Sequence, residues 1–192
     1  MKRLRGGAPG SVRIIAGQWR GSRLPVPTRS GLRPSSDRVR ETLFNWLAPV
    51  LRGARCLDLF AGSGALGFEA ASRGAAQVLL VERDPELAAG LRSSAARLAA
   101  GQVEIRCADA LAVLEDGACG PFDVVFIDPP FAEGAWDAVL QRLPERLAAE
   151  AWIHLESPAD HAPAVPADWR LHREGRTREV RHALYHRPAR PG

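Results

Sequence analysis

Leu57-Asp58-Leu59-Phe60-Ala61-Gly62-Ser63-Gly64-Ala65-Leu66-Gly67 is the stretch on which the fold of this chain turns. It leaves an apolar strand, Ala54 to Leu59, passes through a glycine loop, and enters a helix predicted over 65–73 and stopped by Gly74. Gly62, Gly64 and Gly67 spell GxGxxG at that junction, where backbone must approach a ligand closely and helix must meet sheet. Outward from the loop the same alternation repeats. Strands are predicted at 77–81, 103–107, 122–127 and 151–155, with helices at 85–100, 110–114 and 136–143 between them. Pro85 just inside one helix and Gly101 just past it follow the usual asymmetry of helix ends. Strand and helix in strict alternation means a parallel sheet covered by helices on both faces. The end of the chain departs from it, since 169–173, a turn at Gly175 and 179–186 read as a closing antiparallel hairpin.

Upstream, 37–47 reads as a helix with Asp37 as its N-cap, and Val39, Leu43, Trp46 and Leu47 as its buried stripe. Arg38 and Arg40 are expected off that stripe. Val12 to Ala16 and Ser22 to Val26 read as a short hairpin whose Gly17-Gln18-Trp19-Arg20-Gly21 turn offers Trp19 for stacking on bases or for covering its own hairpin. The expected organisation is a disordered basic tail over 1–11, a hairpin extension over 12–36, a catalytic domain over 37–187 and a short tail over 188–192.

The 192 residues suit one core, and no apolar run reaches the length of a membrane span or a secretory signal, so a cytoplasmic protein is expected. Cys56, Cys107 and Cys119 have neither CxxC spacing nor a nearby histidine pair; they read as small core residues, with no metal site expected. The net charge of +4 is segregated. Residues 1–40 hold ten Lys or Arg against Asp37 alone, residues 41–168 are net −10, and residues 169–192 carry seven basic side chains against two acids. Basic ends around an acidic middle suit a polyanionic partner, and Arg13, Arg20, Arg23 and Arg38 are the candidate nucleic-acid contacts together with Trp19.

The glycine loop alone leaves the ligand open. Glu82 follows Gly62 by 20 residues, so a nicotinamide dinucleotide and S-adenosylmethionine, which share an adenosine ribose, both fit. Asp58 tips the balance, because a carboxylate beside the loop suits a cationic cofactor and repels a pyrophosphate. Asp109, at the tip of the third strand of the alternating region, either continues this row of acids or caps the next helix.

A second motif speaks to the chemistry. Phe122-Asp123-Val124-Val125-Phe126-Ile127 is a buried strand ending in Asp128-Pro129-Pro130-Phe131. Two prolines supply no N–H, so Asp128 and the Pro129 carbonyl form a rigid face made only of acceptors. Such a face fits an NH₂ group whose lone pair is to be turned toward an incoming methyl group, and Phe131 is placed to stack on an extruded base.

These residues resemble a known family. Arg13 to Gly21, the run Leu32-Arg33-Pro34-Ser35-Ser36-Asp37-Arg38-Val39-Arg40-Glu41-Thr42-Leu43-Phe44-Asn45-Trp46-Leu47, the Asp58 to Gly67 loop and Asp128 to Phe131 are similar to the small-subunit ribosomal RNA guanine-N2 methyltransferases of the D type. The likeness spans about Val12 to Tyr185. It implies a seven-stranded Rossmann-like class I S-adenosylmethionine methyltransferase, α/β, with a C-terminal antiparallel hairpin and an N-terminal β-hairpin. It further implies methylation of one guanine in 16S ribosomal RNA, within the small subunit or a late assembly intermediate, by a protein expected to be monomeric. By that likeness Arg33, Pro34 and Ser35 lie near the cofactor with Asp58, Phe60, Ala61, Gly62 and Gly64, while Glu82, Asp109 and Ala110 meet its ribose and adenine. The hairpin would touch RNA. Three alternatives remain at this point: an adenine-N6 methyltransferase acting on DNA or RNA, a nicotinamide-dependent oxidoreductase, and a non-catalytic ribosome-assembly factor.

Overall fold

The computed structural model describes residues 10–26, 37–131 and 134–189. Its elements run β1 (Gly10–Arg13), β2 (Arg23–Val26), α1 (Asp37–Leu51), β3 (Arg55–Asp58), α2 (Ala65–Ser72), β4 (Gln77–Glu82), α3 (Pro85–Arg97), β5 (Val103–Cys107), α4 (Ala110–Glu115), β6 (Phe122–Ile127), α5 (Trp136–Arg142), β7 (Leu147–Pro158), β8 (Arg170–Arg176) and β9 (Val180–Arg187). The last seven strands form one sheet in the order β5-β4-β3-β6-β7-β9-β8. Pairs from β5 across to β7 are parallel, and β9 runs antiparallel to both β7 and β8. From β3 the chain works outward through β4 to β5 and then crosses to β6 on the other side of β3. The strand order therefore reverses between β3 and β6, and ligands of open α/β sheets bind outside the carboxyl ends of the strands at such a reversal.

Strand periodicity sorts the two cores. Cys56, Leu80, Val124 and Phe126 face the layer holding α1 and α2, whereas Leu57, Val81, Val125, Ile127, Ile153 and Leu155 face α4 and α5. Among the described residues no helix is long and apolar enough to cross a membrane.

Several expectations change in three dimensions. Arg40 is 1% exposed. Its Nη2 donates to Asp37 Oδ1 at 2.7 Å and to the Arg13 carbonyl at 2.9 Å, and its guanidinium lies 3.8 Å from the fully buried Glu69. Glu69 also accepts from the Ile15 and Ala16 amides at 2.7 and 3.0 Å and pairs with Arg73 at 2.7 Å. Arg40 is inside because it anchors the N-terminal segment through this acid, a long-range contact to which helical periodicity is blind. The hairpin is part of the same core: Ile14, Trp19 and Leu24 pack with Leu43, Phe44 and Phe68.

Trp19 is accordingly only 7% exposed, which corrects its candidacy as a base-stacking residue. Its amide donates to Ser72 Oγ and that of Gln18 to the Ser72 carbonyl, fastening the turn to the C-terminal end of α2. Gly17 is required there, since a Cβ would lie 1.9 Å from the Ser72 carbonyl oxygen. Cys107 is exposed, unlike Cys56 and Cys119, because it closes the edge strand β5. Helix α3 stops at Arg97, short of the predicted 100. Ala99 takes a left-handed φ of 50° so that the Ala100 amide can reach the Ala95 carbonyl and close the helix end. Strand β7 starts at Leu147, earlier than the predicted 151, with an irregular register against β6 around Phe122 and Val124.

Candidate functional site

The entry to the glycine loop is held by main-chain hydrogen bonds to the two flanking strands. The Leu59 amide donates to the Phe126 carbonyl at 3.1 Å and the Ala61 amide to that of Val81 at 2.9 Å. Gly62 and Gly64 have φ of 51° and 75°, the region where glycine is at ease. Gly67 serves another end: a Cβ there would lie 2.0 Å from the Leu80 side chain, so its absence lets α2 pack down on the sheet.

Acids on neighbouring strand tips surround this loop. Asp58, at the end of β3 and 2% exposed, accepts the Gly67 amide at 2.9 Å. Burial pushes its pKa up to about 7, opposed by the Gly67 and Phe60 amides and assisted by Glu82 and Glu156. Glu82, at the end of β4, takes the Gly62 amide on Oε2 at 2.9 Å and the Asp84 amide on Oε1 at 2.8 Å. The acid thus couples the loop to the tip of the next strand. Asp109 is the N-cap of α4, accepting from Leu111 and Ala112 at 2.8 and 3.3 Å, and Ala110 is buried behind it.

Across the reversal point, β6 delivers Asp128. Burial raises its pKa well above the ordinary carboxylate value, and the nearby acids Glu156 and Asp58 raise it further. Pro129 is buried and Pro130 exposed. Phe131 is 38% exposed, with its ring 5.8 Å from that of Trp136, the first residue of α5. Loop, acids and Pro-Pro turn therefore converge on one edge of the sheet.

Glu156 belongs to this edge and was missed in the sequence. It sits near the end of β7, is 4% exposed, and its main-chain oxygen accepts the Trp136 indole N–H at 2.9 Å. The signal was available, because Trp152-Ile153-His154-Leu155-Glu156 is one more strand ending in an acid. Next to it His154 is fully buried, and its pKa is pushed down to about 3, chiefly by burial and then by His182.

Of the candidate RNA contacts, Arg13, Arg20, Arg23 and Arg38 are exposed. Arg13 pairs with Asp37 at 3.2 Å and Arg23 donates to Ser11 Oγ at 2.9 Å. Arg20 lies on the turn docked at the far end of α2, away from the edge that carries the acids. Arg33, Pro34 and Ser35 lie outside the described residues, as does most of the basic tail. Among the described residues no three His, Cys, Asp or Glu side chains gather as a metal site would require.

A family model described as Conserved hypothetical protein 95 matches residues 12–186. Ribosomal RNA small subunit methyltransferase D of Escherichia coli strain K12 is 47% identical over 192 residues, covering 98% of this chain and 96% of the relative. The Haemophilus influenzae protein of the same name is 44% identical, covering 93% of this chain and 95% of its own. The solved structure of the Escherichia coli protein yhhF superposes with a TM-score of 0.87 at 48% identity, covering 94% of this chain and all of that one. With its glycine loop, its Asp-Pro-Pro-Phe turn and this strand order, the chain belongs to the ribosomal RNA small subunit methyltransferase D family and carries the class I methyltransferase fold.

Proposed function

We propose that the protein methylates the exocyclic N2 of one guanine in 16S ribosomal RNA, using S-adenosylmethionine. The observation that carries this reading is the placement of Asp128 and Pro129 across the strand reversal from the glycine loop and Asp58. A cationic cofactor fits the residues present, since the loop is ringed by the carboxylates of Asp58 and Glu82 rather than by the anion-binding donors a pyrophosphate would want. Bound there, S-adenosylmethionine supplies an activated methyl group. Asp58 would face its cationic end and Glu82 its ribose hydroxyls, with Phe60, Ala61 and Gly62 forming the wall between.

The protein's own contribution is mostly positioning. Asp128 and the Pro129 carbonyl accept the two N–H hydrogens of the target amine, which turns the nitrogen lone pair out of conjugation with the ring. Phe131 provides an exposed face for the base. As the nitrogen gains positive charge it becomes acidic, and Asp128, with its raised pKa, is suited to accept the proton. The Arg13, Arg23 and Arg38 side chains would meet RNA phosphates. The substrate on this reading is the small subunit or a late assembly intermediate.

Incubating the protein with labelled S-adenosylmethionine and unmodified small subunits, followed by nucleoside analysis, tests the reading. Label is expected in N2-methylguanosine; label in N6-methyladenosine, or none, would overturn it. Asp128→Ala is expected to keep cofactor affinity while lowering transfer by about 100-fold or more, the usual consequence of removing one positioned transition-state contact.

A further inference from the structure

The Asp-Pro-Pro-Phe turn accepts an amine but does not say which base carries it. Guanine N2, adenine N6 and cytosine N4 all present two N–H donors. They differ at the next ring atom. In guanine the ring nitrogen beside the amine, N1, bears a hydrogen and is a donor, whereas the corresponding ring nitrogens of adenine and cytosine are acceptors. A guanine enzyme therefore needs one more acceptor beside Asp128, and an ionised acceptor there would also repel the other two bases.

The sheet register places such a group. Ile127 on β6 is paired with Leu155 on β7, so Asp128 and Glu156 are the next residues on adjacent parallel strands. Side chains alternate along a strand. Ile127 and Leu155 both pack toward α4 and α5, and their predecessors Phe126 and His154 point the other way, with ring centroids 6.2 Å apart. Asp128 and Glu156 return to the face of Phe126 and His154, the same face that carries Asp58, whose register partner is Phe126. Glu156 is buried, and its Oε1 lies 3.9 Å from His154 Nε2. His182, its register partner on β9, packs under Trp46 of α1 with ring centroids 5.7 Å apart. Burial keeps both imidazoles on the neutral side.

Trp136 ties the Glu156 main chain to the base platform. Its indole N–H holds the Glu156 main chain at 2.9 Å while its ring contacts that of Phe131 at 5.8 Å. A base lying on Phe131 with its amine at Asp128 would present its neighbouring ring nitrogen toward the next strand, where the Glu156 carboxylate stands. Neighbouring strands are about 4.8 Å apart, within the span that two converging carboxylates can close around adjacent donors on one base edge.

We propose that Glu156 selects guanine by accepting its N1–H while Asp128 and the Pro129 carbonyl hold the N2 amine, an inference that rests on the amine-methylation reading above. Asp128 is thereby the residue at the reacting nitrogen and Glu156 the specificity residue at the ring.

A substrate carrying 2-aminopurine at the target position provides the test, because that base keeps the N2 amine but has an acceptor at N1. Transfer rates are compared on small subunits reconstituted with guanine or 2-aminopurine, for the wild type, Glu156→Gln and Glu156→Asp. The wild type is expected to prefer guanine by about 100-fold or more, as sites built to bond a substrate N–H reject analogues lacking it. In Glu156→Gln the carboxamide can donate to an unprotonated N1. The guanine preference should then shrink by at least about tenfold, while cofactor affinity stays within about twofold. Intrinsic differences in amine reactivity cancel in that ratio of ratios. Glu156→Asp keeps the acceptor and should keep the preference at a lower rate.

Equal losses on both bases in Glu156→Gln, or a wild type that methylates 2-aminopurine as well as guanine, would overturn the assignment. If Glu156→Gln fails to bind cofactor because it fails to fold, a Glu156→Asp variant that has lost the preference would overturn it equally. Absence of guanine methylation by the wild type would count against the proposed function instead.

Discussion

The raised pKa of Asp58 makes cofactor binding depend on pH in a window where few acids titrate. Its carboxyl is pushed up to about 7 from an ordinary value of 3.8, with burial the largest cause. The sign follows from linkage: the folded protein without cofactor holds this proton more tightly than the unfolded chain does. Stability from the group is therefore greatest below about pH 4 and declines as pH rises toward 7. A shift of about three units corresponds to about 4 kcal/mol lost across that window. A cationic ligand favours the ionised carboxylate, so binding must displace whatever proton remains. At pH 6 about nine-tenths of the sites carry the proton, and apparent affinity should be about tenfold below its plateau; at pH 7 the deficit falls to about twofold. Calorimetric titration with S-adenosylmethionine between pH 5.5 and 7.5, in two buffers of different ionisation enthalpy, reads both the affinity and the protons released. About half a proton should be released per cofactor bound at pH 7. Asp58→Asn should bind more weakly and with a flat profile over the same range. A flat profile in the wild type, or the same slope in Asp58→Asn, would refute the placement of the cationic end of the cofactor at Asp58.

Glu69→Ala leaves Arg40 buried without its acid and the Ile15 and Ala16 amides without their acceptor, and should cost about 3–5 kcal/mol in denaturant unfolding; an unchanged midpoint would show that the cluster contributes nothing net. Ala99→Gly should raise stability by about 1 kcal/mol, because glycine adopts the φ of 50° without the Cβ penalty, and a destabilised variant would contradict the strain assigned to that helix end. Replacing Arg13, Arg23 and Arg38 together by Gln should lower the slope of log affinity for RNA against log salt by about two units and leave cofactor affinity alone; an unchanged slope would remove them as phosphate contacts. Point substitutions are needed because deleting the hairpin would also strip Ile14, Trp19 and Leu24 from the core.

The alternating strands and helices, the glycine loop and the Asp-Pro-Pro-Phe turn were legible because each rests on local chemistry: side-chain period, backbone freedom at glycine, and the missing amide of proline. Asp58, Glu82 and Asp128 could be named for the same reason, as acids directly after apolar strands. Glu156 follows the same rule but is harder to single out, because no glycine loop or Pro-Pro turn follows it, only Ser157-Pro158. The opposite failure leaves Trp19 open between stacking on bases and covering its hairpin, of which the structure shows the second, and misplaces Arg40. Their local patterns suited an exposed turn and a solvent-facing helix position, but a single buried acid, Glu69, draws Arg40 and the hairpin backbone inward from more than 25 residues away.

The sequence by itself determined that this chain is an α/β protein with a glycine loop suited to a cationic nucleotide cofactor and a rigid acceptor face suited to an amine. Periodicity and backbone constraint act between neighbours in the chain, so one dimension is enough to read them. The tertiary structure alone decided which acids share a face, that the N-terminal hairpin is built into the core, and that Glu156 stands beside Asp128. These depend on strand order and register, which are set by the packing of two apolar layers against one sheet and have no counterpart in local spacing.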